Sequence, residues 1–421
     1  MDRLIVRGGR PLQGAVEIGG AKNAALPALA AVLLSDKPVT LENVPAVVDV
    51  ATMEGVLAHY GVEVTPVDPA GHTLKLNAAN ARSAEAPYDV VRKMRAAFLV
   101  LGPLIARFGR ARVSLPGGCA IGARPVDLHL KALIALGATI DVEGGYIDAK
   151  VAGHLTGSRI VLPFASVGAT EATLYAATMA HGETEIVNAA REPEVVDLAD
   201  LLLAMGARIE GAGTHRITVE GPTEFQPARH AIVADRVEAG TYAAAAAITG
   251  GQLELVGARL EHLAAVGEAL ELAGLRLWPG DRGLIVSRPD RIKPVDIVTQ
   301  PYPGFATDLQ AQFMALMSLA EGTSIVRETI FENRFMHVPE LSRLGADIAL
   351  RGTTAVVRGV ERLRGAPVMA TDLRASVCLV IAGLAAEGET KINRIYHLDR
   401  GYEALDRKLV RCGADIERLP E

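Results

Sequence analysis

A glycine-centred punctuation recurs six times along the 421-residue chain, at Gly61, Gly137, Gly206, Gly274, Gly345 and Gly413, at intervals of 68 to 76 residues. An apolar or small residue precedes each glycine, alanine usually follows it, and an alternating strand comes next. Before each lies a second signature, a turn leading into another alternating strand, as in Gly182-Glu183-Thr184-Glu185-Ile186, Gly322-Thr323-Ser324-Ile325 and Gly388-Glu389-Thr390-Lys391-Ile392. Upstream of that turn a nearly all-apolar segment reads as a helix, for example residues 174–180, 242–248 and 313–320. A second, amphipathic helix then leads to the glycine, as at 195–205 and 337–344. Each unit is therefore read as helix, strand, helix, strand, strand, with a further strand at its start.

Units of this length are too long for an ordinary solenoid, so they are expected to pack around a shared interior. A helix that is apolar all round must be buried. Three such helices per domain, covered by sheets and amphipathic helices, account for six units in two domains. A chain of this length exceeds what one core supports. The first domain is expected over residues 21–229 and the second over residues 1–20 together with 230–421, since the pattern restarts at Asp235-Arg236-Val237-Glu238.

Half of the residues are apolar, and the longest apolar stretches, 24–34 and 377–386, are shorter than the roughly 20 residues needed to span a bilayer. Residues 1–6 read as a strand and lack the apolar region of a signal peptide. The net charge is −6 with both signs interspersed, which gives no basic stripe for nucleic acid. Three cysteines in so long a chain argue against a disulfide framework. These features predict a cytoplasmic protein without membrane insertion.

The buried helices start on polar residues: Gly19-Gly20-Ala21-Lys22-Asn23, Arg92-Lys93-Met94-Arg95, Ser166-Val167-Gly168-Ala169-Thr170, Glu238-Ala239-Gly240-Thr241, Thr307-Asp308 and Thr371-Asp372-Leu373-Arg374. Helix N-termini carry free N–H groups and partial positive charge, which suits phosphate and carboxylate. Ordinary capping explains Thr307 and Thr371. Lys22, Arg95 and Arg374 oppose the macrodipole, and their recurrence is better explained by a bound polyanion. Pseudo-symmetric halves could face their helix starts across a cleft around a small, multiply anionic ligand.

The segment Leu115-Pro116-Gly117-Gly118-Cys119-Ala120-Ile121-Gly122-Ala123-Arg124-Pro125-Val126-Asp127 places one thiol between glycines, five residues before an arginine. Glycine permits close approach of a substrate, and a guanidinium favours the thiolate and holds an anion beside it. A surface loop with an incidental cysteine is the competing reading. Cys378 and Cys412 fall on apolar repeat positions and read as core residues. Trp278 reads as packing, and His129 and His397 flank the polar motifs.

These motifs, with Ala190-Arg191-Glu192-Pro193-Glu194, Phe331-Glu332-Asn333-Arg334-Phe335-Met336-His337, Ala370-Thr371-Asp372-Leu373-Arg374-Ala375-Ser376 and Ile395-Tyr396-His397-Leu398-Asp399-Arg400-Gly401-Tyr402, closely resemble the bacterial UDP-N-acetylglucosamine enolpyruvyl transferases (UDP-N-acetylglucosamine 1-carboxyvinyltransferases) over essentially the whole chain. The resemblance implies an α/β fold, the two-domain inside-out α/β barrel of six related units, with the N-terminal strand packed in the second domain. It implies transfer of the enolpyruvyl group of phosphoenolpyruvate to the 3-hydroxyl of UDP-N-acetylglucosamine, through a phosphate-bearing tetrahedral ketal and without metal or organic cofactor. That is the first committed step of peptidoglycan and cell-wall synthesis.

By the same resemblance Cys119 is the general acid, able to form a phospholactoyl adduct and to be alkylated by fosfomycin. Lys22, Arg124 and Arg400 surround the phosphate and carboxylate of phosphoenolpyruvate, with Asn23 and Cys119 beside them. Asp308 lies at the sugar 3-hydroxyl as candidate base. Asn23 and Arg95 help place the sugar and diphosphate; Arg124, Pro125, Val126, Asp127, Leu128, Ser166, Val167 and Gly168 line the nucleotide site, and Ile330 contacts it through its backbone. Arg334, Asp372 and Arg374 are either ion-pair residues or substrate contacts. Phe164 stands where some relatives carry a lysine near the diphosphate. The Cys119 loop is the expected lid, hinged near residues 20 and 230. Rival readings are the same transfer to shikimate 3-phosphate, a non-catalytic UDP-sugar sensor, and RNA 3′-phosphate cyclase chemistry, for which no signature is present.

Overall fold

At all six punctuation glycines φ lies between +90° and +105°, a backbone region that side-chain-bearing residues enter only at a cost. The computed structural model describes residues 2–82, 85–86, 95–115, 125–288 and 291–420. At the third glycine, the Gly206 N–H donates to the Leu203 carbonyl and the Ala207 N–H to the Leu202 carbonyl, each at 2.9 Å. This paired ending satisfies carbonyls that a helix terminus otherwise leaves free. The same two bonds close the helices before Gly61, Gly274, Gly345 and Gly413. The chain then runs straight into a strand.

The third unit shows the resulting order. Strand Arg159–Val161 leads to helix Val167–Met179, strand Gly182–Val187, helix Pro193–Ala204, and strands Arg208–Glu210 and Arg216–Gly221. In its sheet the first two strands are parallel, and Gly182–Val187 pairs antiparallel with Arg216–Gly221, which pairs antiparallel with the edge strand. Six four-stranded sheets, all of this kind, lie among the described residues. The sequence reading of the repeat holds.

The chain divides into two compact units, residues 20–115 with 125–233, and residues 2–19 with 234–420. Each is closed by strands distant in sequence. In the first, Ala228–Ala231 pairs with Val39–Glu42. In the second, Gln13–Glu17 pairs with Gln252–Val256, and Arg3–Arg7 inserts between Glu389–Asn393 and Asp415–Leu419. These pairings leave the repeats no long unpaired edge at the closure.

Each unit encloses apolar helices, with sheets and amphipathic helices outside, which is the inside-out α/β arrangement. The second unit buries Arg236–Thr249, Gln310–Met317 and Leu373–Ala385 against one another. Alanine-rich faces, Ala243 to Ala247 among them, permit this close approach. The first buries Lys22–Ala31, Leu101–Phe108 and Val167–Met179; the Tyr175 hydroxyl donates to the Pro27 carbonyl at 2.9 Å. Cys378 and Cys412 are buried. Trp278 lies on a sheet face opposite Ile285. No helix among the described residues is long and apolar enough to cross a membrane.

Three helix starts differ from the expectation. The fourth buried helix begins at Arg236, and the Asp235 carboxylate accepts from the N–H groups of Val237 and Glu238. Glu238 and Thr241 are thus buried helix interior and not a polar lead-in. Thr307 does not cap; it opens a short 3₁₀ turn, Thr307–Leu309, and its hydroxyl donates to Glu328. Asp372, not Thr371, caps Leu373–Ala385, accepting from Arg374 N–H at 2.8 Å and Ala375 N–H at 3.0 Å. A carboxylate accepts two amides at once, which a hydroxyl competes with poorly.

Candidate active site

In the first unit, Lys22 is the first residue of its helix, and its Nζ lies 3.3 Å from Asp49 Oδ2. Both side chains are largely buried, at 13% and 6% exposure. In the second unit Arg374 also has a carboxylate partner, Asp308. The unfavourable position of these two cations against the helix dipole is therefore compensated within the protein, and a bound polyanion is not required to explain it. Asn23 follows Lys22 and is exposed.

Helix Val167–Met179 is capped by Ser166, whose Oγ accepts from Ala169 N–H at 3.4 Å. Gly168 in its first turn faces the His129 ring so closely that a Cβ would lie 2.4 Å from Nε2. His129 also meets Phe98 edge-on, at 5.6 Å between centroids. Asp127 opens helix Asp127–Ala135 and pairs with Lys131 one turn on. Pro125 is exposed, whereas Val126 and Leu128 turn into the core. Only the backbone of those two residues can serve a ligand. Arg95 begins a 3₁₀ turn, Arg95–Val100. Cys119 and Arg124, with the proposed lid, lie outside the described residues. Phe164 is 63% exposed.

No motif marks a buried carboxyl in this unit. Glu171 is 3% exposed and its Oε1 has no hydrogen-bond partner. Burial, reinforced by the charges of Glu194 and Glu192, holds its carboxyl well above the usual range.

In the second unit Asp308 sits at the centre of the densest polar network. Its Oδ1 accepts from Arg334 Nη2 at 2.6 Å and its Oδ2 from Arg374 Nη2 at 2.7 Å. Burial by itself would raise this carboxyl, but the Arg374 and Arg334 guanidiniums outweigh it and hold the group well below the usual carboxylate range. Asp308 keeps 24% side-chain exposure, so the ionised carboxylate can still meet a ligand.

Each guanidinium is itself anchored by a hydroxyl. Arg334 Nη1 donates to Thr307 Oγ1 at 2.8 Å, and Arg374 Nη1 donates to the Tyr402 oxygen at 3.1 Å. Thr241 donates to the Val237 carbonyl at 2.7 Å, so its oxygen receives the Tyr402 hydroxyl at 2.9 Å. Gln312 donates to the Asp308 carbonyl at 2.9 Å and to Thr241 at 3.2 Å. Burial pushes the Tyr402 phenol up, so it remains a hydroxyl. Arg334 also lies over the Phe331 ring at 5.2 Å. Glu328 and Gln312 have no motif to mark them in the sequence, and nothing in the helix-start motif that holds Thr241 links it to Asp308; only the fold brings them here.

Ile330 lies two residues after Glu328, and its N–H donates to the Glu328 carboxylate at 2.8 Å. Arg400 ends the 3₁₀ turn Ile395–Arg400. Burial lowers the pKa of nearby His397, and the Arg400 charge lowers it further. No cluster of three or more metal-ligating side chains occurs among the described residues.

The EPSP synthase (3-phosphoshikimate 1-carboxyvinyltransferase) family model matches residues 6–409. The chain is 67% identical over the full length of both chains to UDP-N-acetylglucosamine 1-carboxyvinyltransferase 2 of Mesorhizobium japonicum. It is 59% identical, again over both full lengths, to the UDP-N-acetylglucosamine 1-carboxyvinyltransferase of Granulibacter bethesdensis. The enolpyruvyl transferase NikO of Streptomyces tendae superposes with a TM-score of 0.88 at 28% identity, covering 99% of each chain. EPSP synthase of Acinetobacter baumannii shares the fold, with a TM-score of 0.77 at 18% identity over all of both chains. A six-unit inside-out fold and full-length identity of this degree lead to one assignment: the chain belongs to the enolpyruvyl transferase (EPSP synthase) family, among its UDP-N-acetylglucosamine 1-carboxyvinyltransferases.

Proposed function

We infer that this chain transfers the enolpyruvyl group of phosphoenolpyruvate to the 3-hydroxyl of UDP-N-acetylglucosamine and releases phosphate, the reaction that commits sugar nucleotide to peptidoglycan. The observation that carries this reading is the 67% identity, over the whole of both chains, to a relative named for that activity. The proposed workplace is the cytoplasm.

In the addition step the sugar oxygen bonds to C2 of phosphoenolpyruvate, a proton adds to its methylene carbon, and the hydroxyl proton passes to a base. The ketal then loses phosphate and a proton from the new methyl group, restoring the double bond. Cys119 is the proposed proton donor to the methylene. Lys22, Arg124 and Arg400 are proposed to hold the phosphate and carboxylate, offsetting charge that moves during both steps. The Lys22–Asp49 contact supports this, because a phosphate can compete for an ammonium held at 3.3 Å. Asn23, Arg95, Pro125, Asp127, Ser166 and Gly168, with the backbone of Val126, Val167 and Leu128, are proposed to place the nucleotide sugar.

Asp308 is proposed to orient the 3-hydroxyl. The two guanidiniums keep it ionised, so it presents an acceptor to that hydroxyl at any working pH. Ile330 has its N–H committed to Glu328, so its proposed contact to the nucleotide runs through the carbonyl.

Phosphate release from phosphoenolpyruvate tests the reading, with UDP-N-acetylglucosamine or shikimate 3-phosphate as acceptor. Release with the UDP-sugar alone is expected. Release with shikimate 3-phosphate alone would overturn the acceptor, and release with neither would favour a sensor.

A further inference from the structure

Glu328 is 1% exposed and accepts four hydrogen bonds. Oε1 receives the Thr299 hydroxyl at 2.7 Å, the Ile330 N–H at 2.8 Å and the Phe331 N–H at 3.1 Å. Oε2 receives the Thr307 hydroxyl at 2.8 Å. All four partners are donors, which suits a carboxylate and nothing with a proton to place. Thr307 spends its only proton on Glu328, so its oxygen is turned to accept from Arg334 Nη1 at 2.8 Å. Arg334 Nη2 in turn reaches Asp308 at 2.6 Å.

We propose that Glu328 is a positioning residue for this reaction: through Thr307 and Arg334 it aims Asp308, and through the Ile330 and Phe331 amides it fixes the neighbouring backbone turn. One buried carboxylate therefore locks the group at the acceptor hydroxyl to the segment that contacts the nucleotide. The proposal rests on the reading that Asp308 meets that hydroxyl. Glu328 touches no substrate itself.

The two halves of the role can be separated chemically. In E328Q the amide oxygen can keep the three donors on the Oε1 side. The amide nitrogen then points a donor at Thr307, whose own hydroxyl proton is left without its acceptor. Thr307 must turn, and the Arg334 arm loses its anchor while the Ile330 turn persists. T307V removes the same link from the other end. T307S keeps the hydroxyl.

Steady-state kinetics on the full-length enzyme, with phosphoenolpyruvate and UDP-N-acetylglucosamine, test this alongside D308N. E328Q and T307V are each expected to lower kcat about 10- to 100-fold, as small misplacements of a reacting group do, with KM for the UDP-sugar changed by about twofold or less. The double variant is expected to be no slower than the worse single one, and T307S to recover at least about tenfold over T307V. Wild-type kcat in E328Q and T307V with an inactive D308N would overturn the role of Glu328 alone. Losses that multiply in the double variant would also overturn it. Wild-type kcat in D308N would overturn the reading of Asp308 and this proposal with it. Thermal unfolding checks each variant, and if E328Q does not fold, the T307V and T307S pair decides.

Discussion

Arg374 and Asp308 stand 66 positions apart in the chain and 2.7 Å apart in the fold, Nη2 to Oδ2. Arg374 is 7% exposed and reaches the carboxylate from the first turn of a helix that Asp372 caps. Because the folded state holds Asp308 well below its ordinary value of 3.8, the unfolded chain binds a proton there first as pH falls. The stabilisation is therefore complete above pH 3.8 and is lost only as pH drops below it, through the depressed native value. R374M leaves one guanidinium on Asp308 and is expected to cost about 3 kcal/mol at neutral pH, the low end for a broken buried pair because Asp308 is partly exposed. Its acid-side loss should begin at the same pH, which the unfolded chain sets, but be smaller and level off at higher pH than in the wild type. Urea unfolding at a series of pH values measures both; an unchanged acid limb would contradict the clamp.

His337 gives a second acid sensitivity, away from the carboxylates. It is 2% exposed, and its Nε2 has no hydrogen-bond partner. Burial lowers its pKa to about 4; the Asp372 charge opposes the shift and the Arg334 charge adds to it. The native state thus prefers the neutral imidazole. Stability from this preference is present above 6.5, falls as pH drops toward 4, and is gone below it. The swing amounts to about 3 kcal/mol at most. H337F keeps a ring and removes the titration, so its stability should stay flatter between those limits. An identical slope in the two proteins would place the titration elsewhere.

Lys408 and Glu238 form a buried pair in the second unit, 2.7 Å apart at 13% and 7% exposure. The other Glu238 oxygen accepts from Gly19 N–H at 2.8 Å, which ties the N-terminal segment to helix Arg236–Thr249. Burial raises the Glu238 carboxyl and Lys408 pulls it back down. Without Lys408 the carboxyl rises further, so the charged form becomes the costly one. K408M is expected to lose about 3 kcal/mol at neutral pH, with the loss shrinking as pH falls toward 4.5 and Glu238 is neutralised. E238Q combined with K408M should recover part of the loss, because glutamine can keep the Gly19 bond without a charge. Guanidine unfolding of the wild type and both variants at two pH values would decide the matter; a pH-independent loss would speak against it.

The repeat was legible because it depends on local rules. A glycine that must take positive φ, and an apolar face that must be buried, leave marks within a few residues of each other. The Asp308 site was only half legible. Asp308, Arg334 and Arg374 stand in recognisable motifs, yet their partnership spans 26 and 66 residues, and no spacing rule joins Asp308 to Arg334 across the strand between them or to Arg374 in the next repeat. Residue type marks Thr307 and Thr371 as caps, whereas Glu328 and Asp372, the stronger acceptors, take the Thr307 proton and the helix amides. Glu328 sits in an Arg-Glu-Thr run with no periodic signature. Its proposed role rests on being an acceptor that four donors share.

The glycine rule itself can be tested by contrast between two repeats. Gly137 has φ +103° and nothing within 4 Å of a built Cβ. Gly206 has φ +105°, and the same Cβ would lie 2.9 Å from the Glu224 carbonyl oxygen. G137A therefore carries backbone strain alone, about 1–2 kcal/mol for the left-handed conformation. G206A carries that strain and must also displace a backbone oxygen in the segment that leads to the closing strand Ala228–Ala231. It is expected to be the more destabilised by at least about 1 kcal/mol. Paired chemical denaturation of G137A and G206A gives the ranking. Equal losses would mean that helix termination sets the cost at both positions and the close approach at Gly206 adds nothing; the reverse order would refute the steric argument.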